Sequence, residues 1–444
     1  MIDQQELEIL KGALDRLSEG FIDLPPADSH LDSKRIREVM DDVAVRMQDN
    51  YPYHHPRYAG QMLKPPHPVA RIAYMLALWI NPNNHALDGG RASSAMEKEA
   101  VAAIGAMLGF DEPLGHLCGG GTMANLEALW IAGKLHPGKK IVASVQAHYT
   151  HSRISEVLSL GFDAVATDDF GRMDPAALED ILAEGEVGTV VVTLGTTGVG
   201  AIDPLDDILR LRQKYEFRIH VDAAYGGYFQ IASRLNSKSR KAFDEIGNAD
   251  SIVIDPHKHG LQPYGCGCVL FRDPAVGVLY QHESPYTYFS SGDLHLGEIS
   301  LECSRPGAAA VALWATQQLL PMVHGGEFSE MLDKSLLAAR ALYEKMAASK
   351  KFRTLLPPEL DIVVYAVDSA DAKTASSRAR AVFNKAATKN LHLALIELPM
   401  ALVKTYWPEL ESNQESVTCL RSCLMKPEHL DWVDDIYDVL ETVC

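Results

Sequence analysis

Apolar residues recur at helical spacing twice near the start of the chain, over Glu6 to Phe21 and Ser33 to Asn50, ahead of the stretch YPYHHPRYAG at 51–60. No strand pattern appears in this opening. From Ile141 onward short apolar runs alternate with amphipathic ones, which predicts strands at Lys140 to Val145, Ala164 to Thr167, Thr189 to Leu194, Arg218 to Asp222, Ser251 to Asp255 and Cys268 to Arg272. Helices are expected between them at Ser152 to Leu160, Pro175 to Glu184 and Leu205 to Tyr215. Runs such as TVVVTL are apolar on both faces, as strands are when helices cover a parallel sheet on each side. Asp174-Pro175 and Asp203-Pro204 each read as an N-cap followed by proline in the first helical turn.

The pattern changes after two helices expected at Ala308 to Leu320 and Phe328 to Ala348. Strands at Ile362 to Val367, Leu391 to Leu398 and Ser416 to Leu424 then alternate with helices at Ser376 to Lys389 and Glu428 to Leu440, a smaller α+β unit. The chain therefore divides into a helical segment 1–60, a large α/β domain 61–307 and a small carboxyl-terminal domain 308–444 that includes the connecting helices.

Composition narrows the function. With 47% hydrophobic and 23% charged residues the chain is that of a folded globular protein. A net charge of −18 opposes general nucleic-acid binding, but leaves room for a small anion in a locally positive pocket. The longest uncharged apolar runs, Ile72 to Ile80 and Ala100 to Phe110, fall well short of the ~20 residues of a membrane-spanning helix, so no membrane association is expected. The acidic start MIDQQELEIL lacks the pattern of a secretory signal. Seven scattered cysteines, an odd number, read as free thiols in a cytoplasmic protein. Cys266 and Cys268 have no second Cys or His pair at zinc spacing, and no metal is expected.

Candidate chemistry concentrates after two apolar runs, in HVDAAYGGY (220–228) and SIVIDPHKHG (251–260). In open α/β sheets ligands bind at the carboxyl ends of strands. Lys258, between two histidines, is poor material for a routine loop, and an amine near other cations becomes a better nucleophile toward carbonyls. Upstream, CGGGT at 118–122 precedes a helical pattern, MANLEALWIAGKLH, and a helix start of that kind offers free N–H groups to a phosphate.

Taken in order, GGGTMANLEAL, Asp222-Ala223-Ala224 and Asp255-Pro256-His257-Lys258 resemble the pyridoxal-phosphate-dependent group II amino-acid decarboxylases of the aspartate-aminotransferase fold, over roughly residues 50–320. The resemblance implies a fold-type I enzyme: a mainly parallel central sheet with helices on both faces, plus a smaller α+β domain. It implies pyridoxal 5'-phosphate as cofactor, an L-amino acid as substrate, and a homodimer with active sites at the subunit interface.

The resemblance also implies residue roles. Lys258 holds the cofactor aldehyde as a Schiff base, and Asp222 sits against the pyridine nitrogen, keeping the ring an electron acceptor. Gly121, Thr122 and His257 serve the phosphate. His148 stacks on the ring, with Arg153 five positions on matching a basic residue of the family; His151 is the competing candidate, better suited to a capping or surface role. Ala224 lies on the opposite ring face and Thr197 beside Asp222 or the ring. In the long segment 282–307, Tyr288 matches the tyrosine that protonates the quinonoid carbon, with Tyr286 as substitute. Arg305 matches a position serving the cofactor or a carboxylate, and Tyr53, His54 and Tyr58 fall where the family lines its substrate pocket, although packing explains them equally well.

The chain departs from the family with GGRASSAMEKEA at 89–100 and with His259 in place of tryptophan after the lysine, which bears on the substrate more than on the cofactor. The expected activity is decarboxylation of an aromatic amino acid through Lys258. The alternatives are glutamate or aspartate decarboxylation, a carbon–carbon lyase or aldehyde-forming enzyme on the same cofactor, and an inactive scaffold relative.

Overall fold

The computed structural model describes residues 4–25, 31–85, 87–281 and 300–444. Its larger sheet contains β1 (Leu114–Cys118), β2 (Lys140–Ser144), β3 (Phe162–Val165), β4 (Val187–Thr193), β5 (Arg218–Asp222), β6 (Ser251–Ile254) and β7 (Gly267–Phe271), in the order β1-β7-β6-β5-β4-β2-β3. Strands β3, β2, β4, β5 and β6 run parallel, and β7 is antiparallel to both β6 and β1. The carboxyl ends of β1, β2, β4, β5 and β6 thus open on one edge of the sheet. Every residue of β4 is buried, as its two-sided apolar pattern requires.

The smaller sheet contains β8 (Phe352–Thr354), β9 (Ile362–Val367), β10 (Ala394–Pro399) and β11 (Ser416–Cys423), all antiparallel, in the order β10-β11-β9-β8. Alternation along β9 explains how it joins the rest. Ile362, Val364 and Ala366 enter the core shared with Leu194, Val199 and Ile202 of the larger unit, while Val363, Tyr365 and Val367 face a second core with Leu342, Val382 and Leu440. Cys419 and Cys423 of β11 share the first of these faces. All seven cysteines are free.

The sequence pattern misreads these features among others. Strand β1 goes unread because LGHLC carries a glycine and a histidine; Gly115 is needed there, since a Cβ would lie 2.5 Å from Leu270 Cδ2. Strand β8 is too short to show a period. Asp203 does not cap the Leu205–Arg212 helix: its buried carboxylate accepts from the N–H groups of Met173 and Thr193 at 2.7 and 2.8 Å, and burial pushes its pKa up to about 7. Asp174 does cap, accepting from Ala176 N–H at 2.9 Å.

The helices Gln4–Glu19 and Ser33–Met47 have no buried residue. The first is tied to the Pro68–Leu78 helix by Arg71, whose Nη2 donates to both carboxylate oxygens of Glu6. The stretch 51–60 packs on the smaller sheet: Ala59 exchanges backbone hydrogen bonds with His392 and Cys423, each at 2.9 Å, and Arg57 grips Asp435 of the His429–Val443 helix.

Candidate active site

A cavity of about 570 Å³ opens at the common edge where β1, β2, β4, β5 and β6 end. It gathers Gly121, Thr122, His148, Thr197, Asp222, Ala224, His257 and Lys258, so residues separated by as much as the whole sheet meet in one place.

Asp222 ends β5 with its side chain buried. Its Oδ1 accepts from Ala224 N–H at 3.1 Å and its Oδ2 lies 2.8 Å from His151 Nε2. Burial works to raise its pKa, but the His151 hydrogen bond and charge, with Lys258 nearby, hold the carboxyl well below the usual carboxylate range. His151 is therefore no surface or capping residue, contrary to the expectation from sequence. It is fully buried behind Asp222, in the first turn of the Thr150–Val157 helix. His148 lines the cavity, its Nδ1 held 2.8 Å from Thr150 Oγ1 and 3.3 Å from the Thr150 N. Burial holds its pKa below the ordinary histidine value.

Lys258 follows β6. Its ammonium meets Asp255 Oδ2 at 3.0 Å; of the flanking histidines, His257 bonds the Cys266 carbonyl through Nδ1 at 2.8 Å with its Nε2 3.6 Å from the same Asp255 oxygen, while buried His259 turns away to pair with Asp361 at 3.1 Å. The nearest charge to the amine is thus a carboxylate rather than the expected cations. Asp361 also accepts from Tyr225 O–H at 2.6 Å, and Tyr225 lines the cavity. Arg421 of β11 donates to the carbonyls of Thr197 and Gly198 at 2.7 and 3.0 Å, fixing the turn after β4.

At the other end, the Gly121–Leu135 helix begins with no side-chain cap at Gly120, so its first N–H groups face the cavity. Glu302 already places a carboxylate on the Gly119 N–H at 2.7 Å, which marks this turn as one that accepts anions. A Cβ at Gly121 would lie 2.7 Å from Asp255 Oδ2, so only glycine lets the turn come this close to β6. Asn125, one turn into that helix, accepts from His220 Nε2–H at 2.8 Å; burial pushes His220 down to about 3, keeping it neutral.

Four candidates lie elsewhere. The Arg305 guanidinium is buried, bonded to Glu97 and to the carbonyls of Leu117 and Asn84, so it does not reach the cavity. Tyr53 and Tyr58 pack edge to face at 4.8 Å, and His54 lines a different cavity. Tyr286 and Tyr288 lie outside the described residues. Tyr225, Asn125, Asp255 and Tyr264 line the cavity without having been singled out as site residues.

A sequence profile described as the pyridoxal-dependent decarboxylase conserved domain matches residues 130–368, more than half of the chain. The chain belongs to this decarboxylase family. Similar proteins include a probable L-tyrosine/L-aspartate decarboxylase of Methanosphaera stadtmanae, 27% identical over 78% of this chain and 87% of that one. Another is the L-tyrosine decarboxylase of Enterococcus faecium, 27% identical over 69% of this chain and 67% of that one. Among solved structures, Oryza sativa TDC with PLP and tryptamine superposes with a TM-score of 0.80 at 16% identity, covering 100% of this chain and 99% of that one. Mouse CSAD gives 0.79 at 22%, covering 99% and 92%. These likenesses establish the fold-type I architecture.

The enzyme is a pyridoxal-phosphate-dependent amino-acid decarboxylase, and the donor set fits that cofactor. Uncapped amides and Thr122 suit a phosphate, Lys258 an aldehyde, and the ionised Asp222 a protonated pyridine nitrogen across the same cavity. When bound, pyridoxal phosphate supplies the electron sink that carbon–carbon cleavage requires. The chain's own residues orient and hold charge. His151 fixes the Asp222 carboxylate, Asp255 holds the Lys258 amine in place, and Arg421 steadies the Thr197 turn.

Proposed function

We propose that this decarboxylase acts on an aromatic L-amino acid, releasing the amine and carbon dioxide. The observation that carries the reading is the cavity wall. Tyr225, Tyr264, Met123 and Leu126 line it, and among the described residues no arginine does. An acidic side chain would instead meet Glu302 and Asp255. The names of the Enterococcus faecium and Levilactobacillus brevis relatives, L-tyrosine decarboxylases, agree with this. Assay of amine release from a panel of L-amino acids tests it: tyrosine, phenylalanine or tryptophan should be turned over, and exclusive use of aspartate or glutamate would refute it.

In this reading Lys258 carries the cofactor, Asp222 partners its ring nitrogen, His148 and Ala224 flank the ring, Thr197 lies beside it, and Gly121, Thr122 and His257 take the phosphate. Tyr288 is the proton donor. The division at 1–60, 61–307 and 308–444 is supported by the two separate sheets.

A homodimer is supported by the two amino-terminal helices, which bury nothing in the single chain yet expose Ile9, Ile36, Val39, Met40 and Met47. A cytoplasmic location is supported by the unpaired cysteines, and no helix among the described residues is long and apolar enough to cross a membrane.

A further inference from the structure

A second cavity, of about 180 Å³, lies where the amino-terminal segment, the loop after Lys258 and the end of β11 converge. Its walls are unusually basic for a chain of net charge −18: Lys64, Lys426, Arg71, His54 and His67 line it, with Glu428 as the acid among them. Arg71 is already neutralised by Glu6. The two lysines have no such carboxylate partner among the described residues. Lys426 is 4% exposed; its ammonium donates to the Tyr58 carbonyl at 2.7 Å and stands 5.2 Å from the Tyr58 ring centre, while Lys64 donates to the Met425 carbonyl at 3.1 Å. An ammonium has three N–H donors, and neither lysine has a carboxylate within ion-pair distance among the described residues.

Two enclosed ammonium groups without a directly bonded counter-ion carry an electrostatic cost. It appears as depressed basicity. Burial lowers Lys64 to about 8 against the opposing charges of Asp361 and Glu428, and burial with the charge of Lys64 lowers Lys426 to about 7. Among the described residues the two ammonium heads meet the carbonyls of Tyr58 and Met425 and, for Lys426, the face of the Tyr58 ring at 5.2 Å, neutral groups that leave the positive charges unbalanced.

We propose that the cavity between Lys64 and Lys426 is a binding site for a small dianionic oxyanion of the phosphate class, separate from the cofactor site. Its volume admits inorganic phosphate or the head of a small phosphate monoester. Leu261, which lines this cavity, lies three residues past Lys258, and its carbonyl accepts from His67 N–H at 2.9 Å, so the site backs directly on the loop that carries the reactive lysine.

The test uses the wild-type holoenzyme, in which the cofactor occupies its own phosphate site. A brief acetic anhydride pulse, read by peptide mass mapping, gives the acylation rates of Lys64 and Lys426 relative to exposed Lys350. Inorganic phosphate in one arm and glycerol 3-phosphate in the other should slow Lys64 and Lys426 at least threefold and leave Lys350 unchanged; the compound effective at lower concentration names the source. Rates unaffected by either compound would overturn the site. So would undiminished protection of Lys64 in Lys426→Met holoenzyme. Because the wild-type measurement decides on its own, failure of that variant to fold leaves the test intact.

Discussion

His151 Nε2 lies 2.8 Å from Asp222 Oδ2, and both side chains are buried. The pair sits directly behind the cavity, so the charge offered to the cofactor is held by a residue that does not itself line the cavity. A hydrogen bond to a buried charged group is worth about 1.5–3 kcal/mol. His151→Phe should therefore weaken cofactor binding by roughly tenfold or more, and His151→Gln should restore part of it. Cofactor affinity measured by absorbance titration checks this. An affinity unchanged in His151→Phe would contradict the positioning role.

Arg305 and Glu97 form a buried ion pair away from the cavity. Breaking such a pair costs about 3–5 kcal/mol because the remaining charge is left uncompensated. Arg305→Met should lower the urea midpoint of the holoenzyme markedly with KM little altered. A raised KM at an unchanged midpoint would return Arg305 to the substrate.

Buried histidines set a pH dependence. Burial lowers both His220 and His429 to about 3, from an ordinary value of ~6.5. Both bind protons only on unfolding, so the stability they allow is full above pH ~6.5 and is lost as pH falls toward 3. Asp203, raised by burial to about 7, acts in the opposite sense over part of this window, but it is one carboxyl against two imidazoles. Urea midpoints should fall between pH 6.5 and 4. Midpoints that stay level or rise would contradict the neutral burial of these rings.

Tyr288 is tested by Tyr288→Phe, which should slow amine release by roughly 10²-fold or more, the scale of a lost proton donor, while cofactor affinity persists. An unaltered rate and product would exclude it.

Much of this was legible because strand ends announce themselves. Arg218–Asp222 was read to the residue, and Asp222 and Lys258 follow apolar runs whose period is unambiguous. What stayed hidden involved polar groups inside the core. Strand β1 was masked by His116, which is fully buried against Glu127, and His151 looked like a surface residue because nothing local reveals a partner on β5. The histidines beside Lys258 suggested a cationic setting, yet His259 is turned away to Asp361 and His257 and Lys258 both face the Asp255 carboxylate. Likewise the aromatic run 51–60 gave no sign of whether it faced substrate or sheet, since that depends on β10 and β11, more than three hundred residues later.

The most direct measurement is product analysis of the holoenzyme with L-tyrosine, L-phenylalanine and L-tryptophan, beside L-aspartate and L-glutamate, with Lys258→Ala as control. The account predicts equimolar amine and carbon dioxide from at least one aromatic substrate and none from Lys258→Ala, whose borohydride-treated peptides should carry no cofactor. Aldehyde as the main product, turnover confined to the acidic amino acids, or undiminished activity in Lys258→Ala would contradict it.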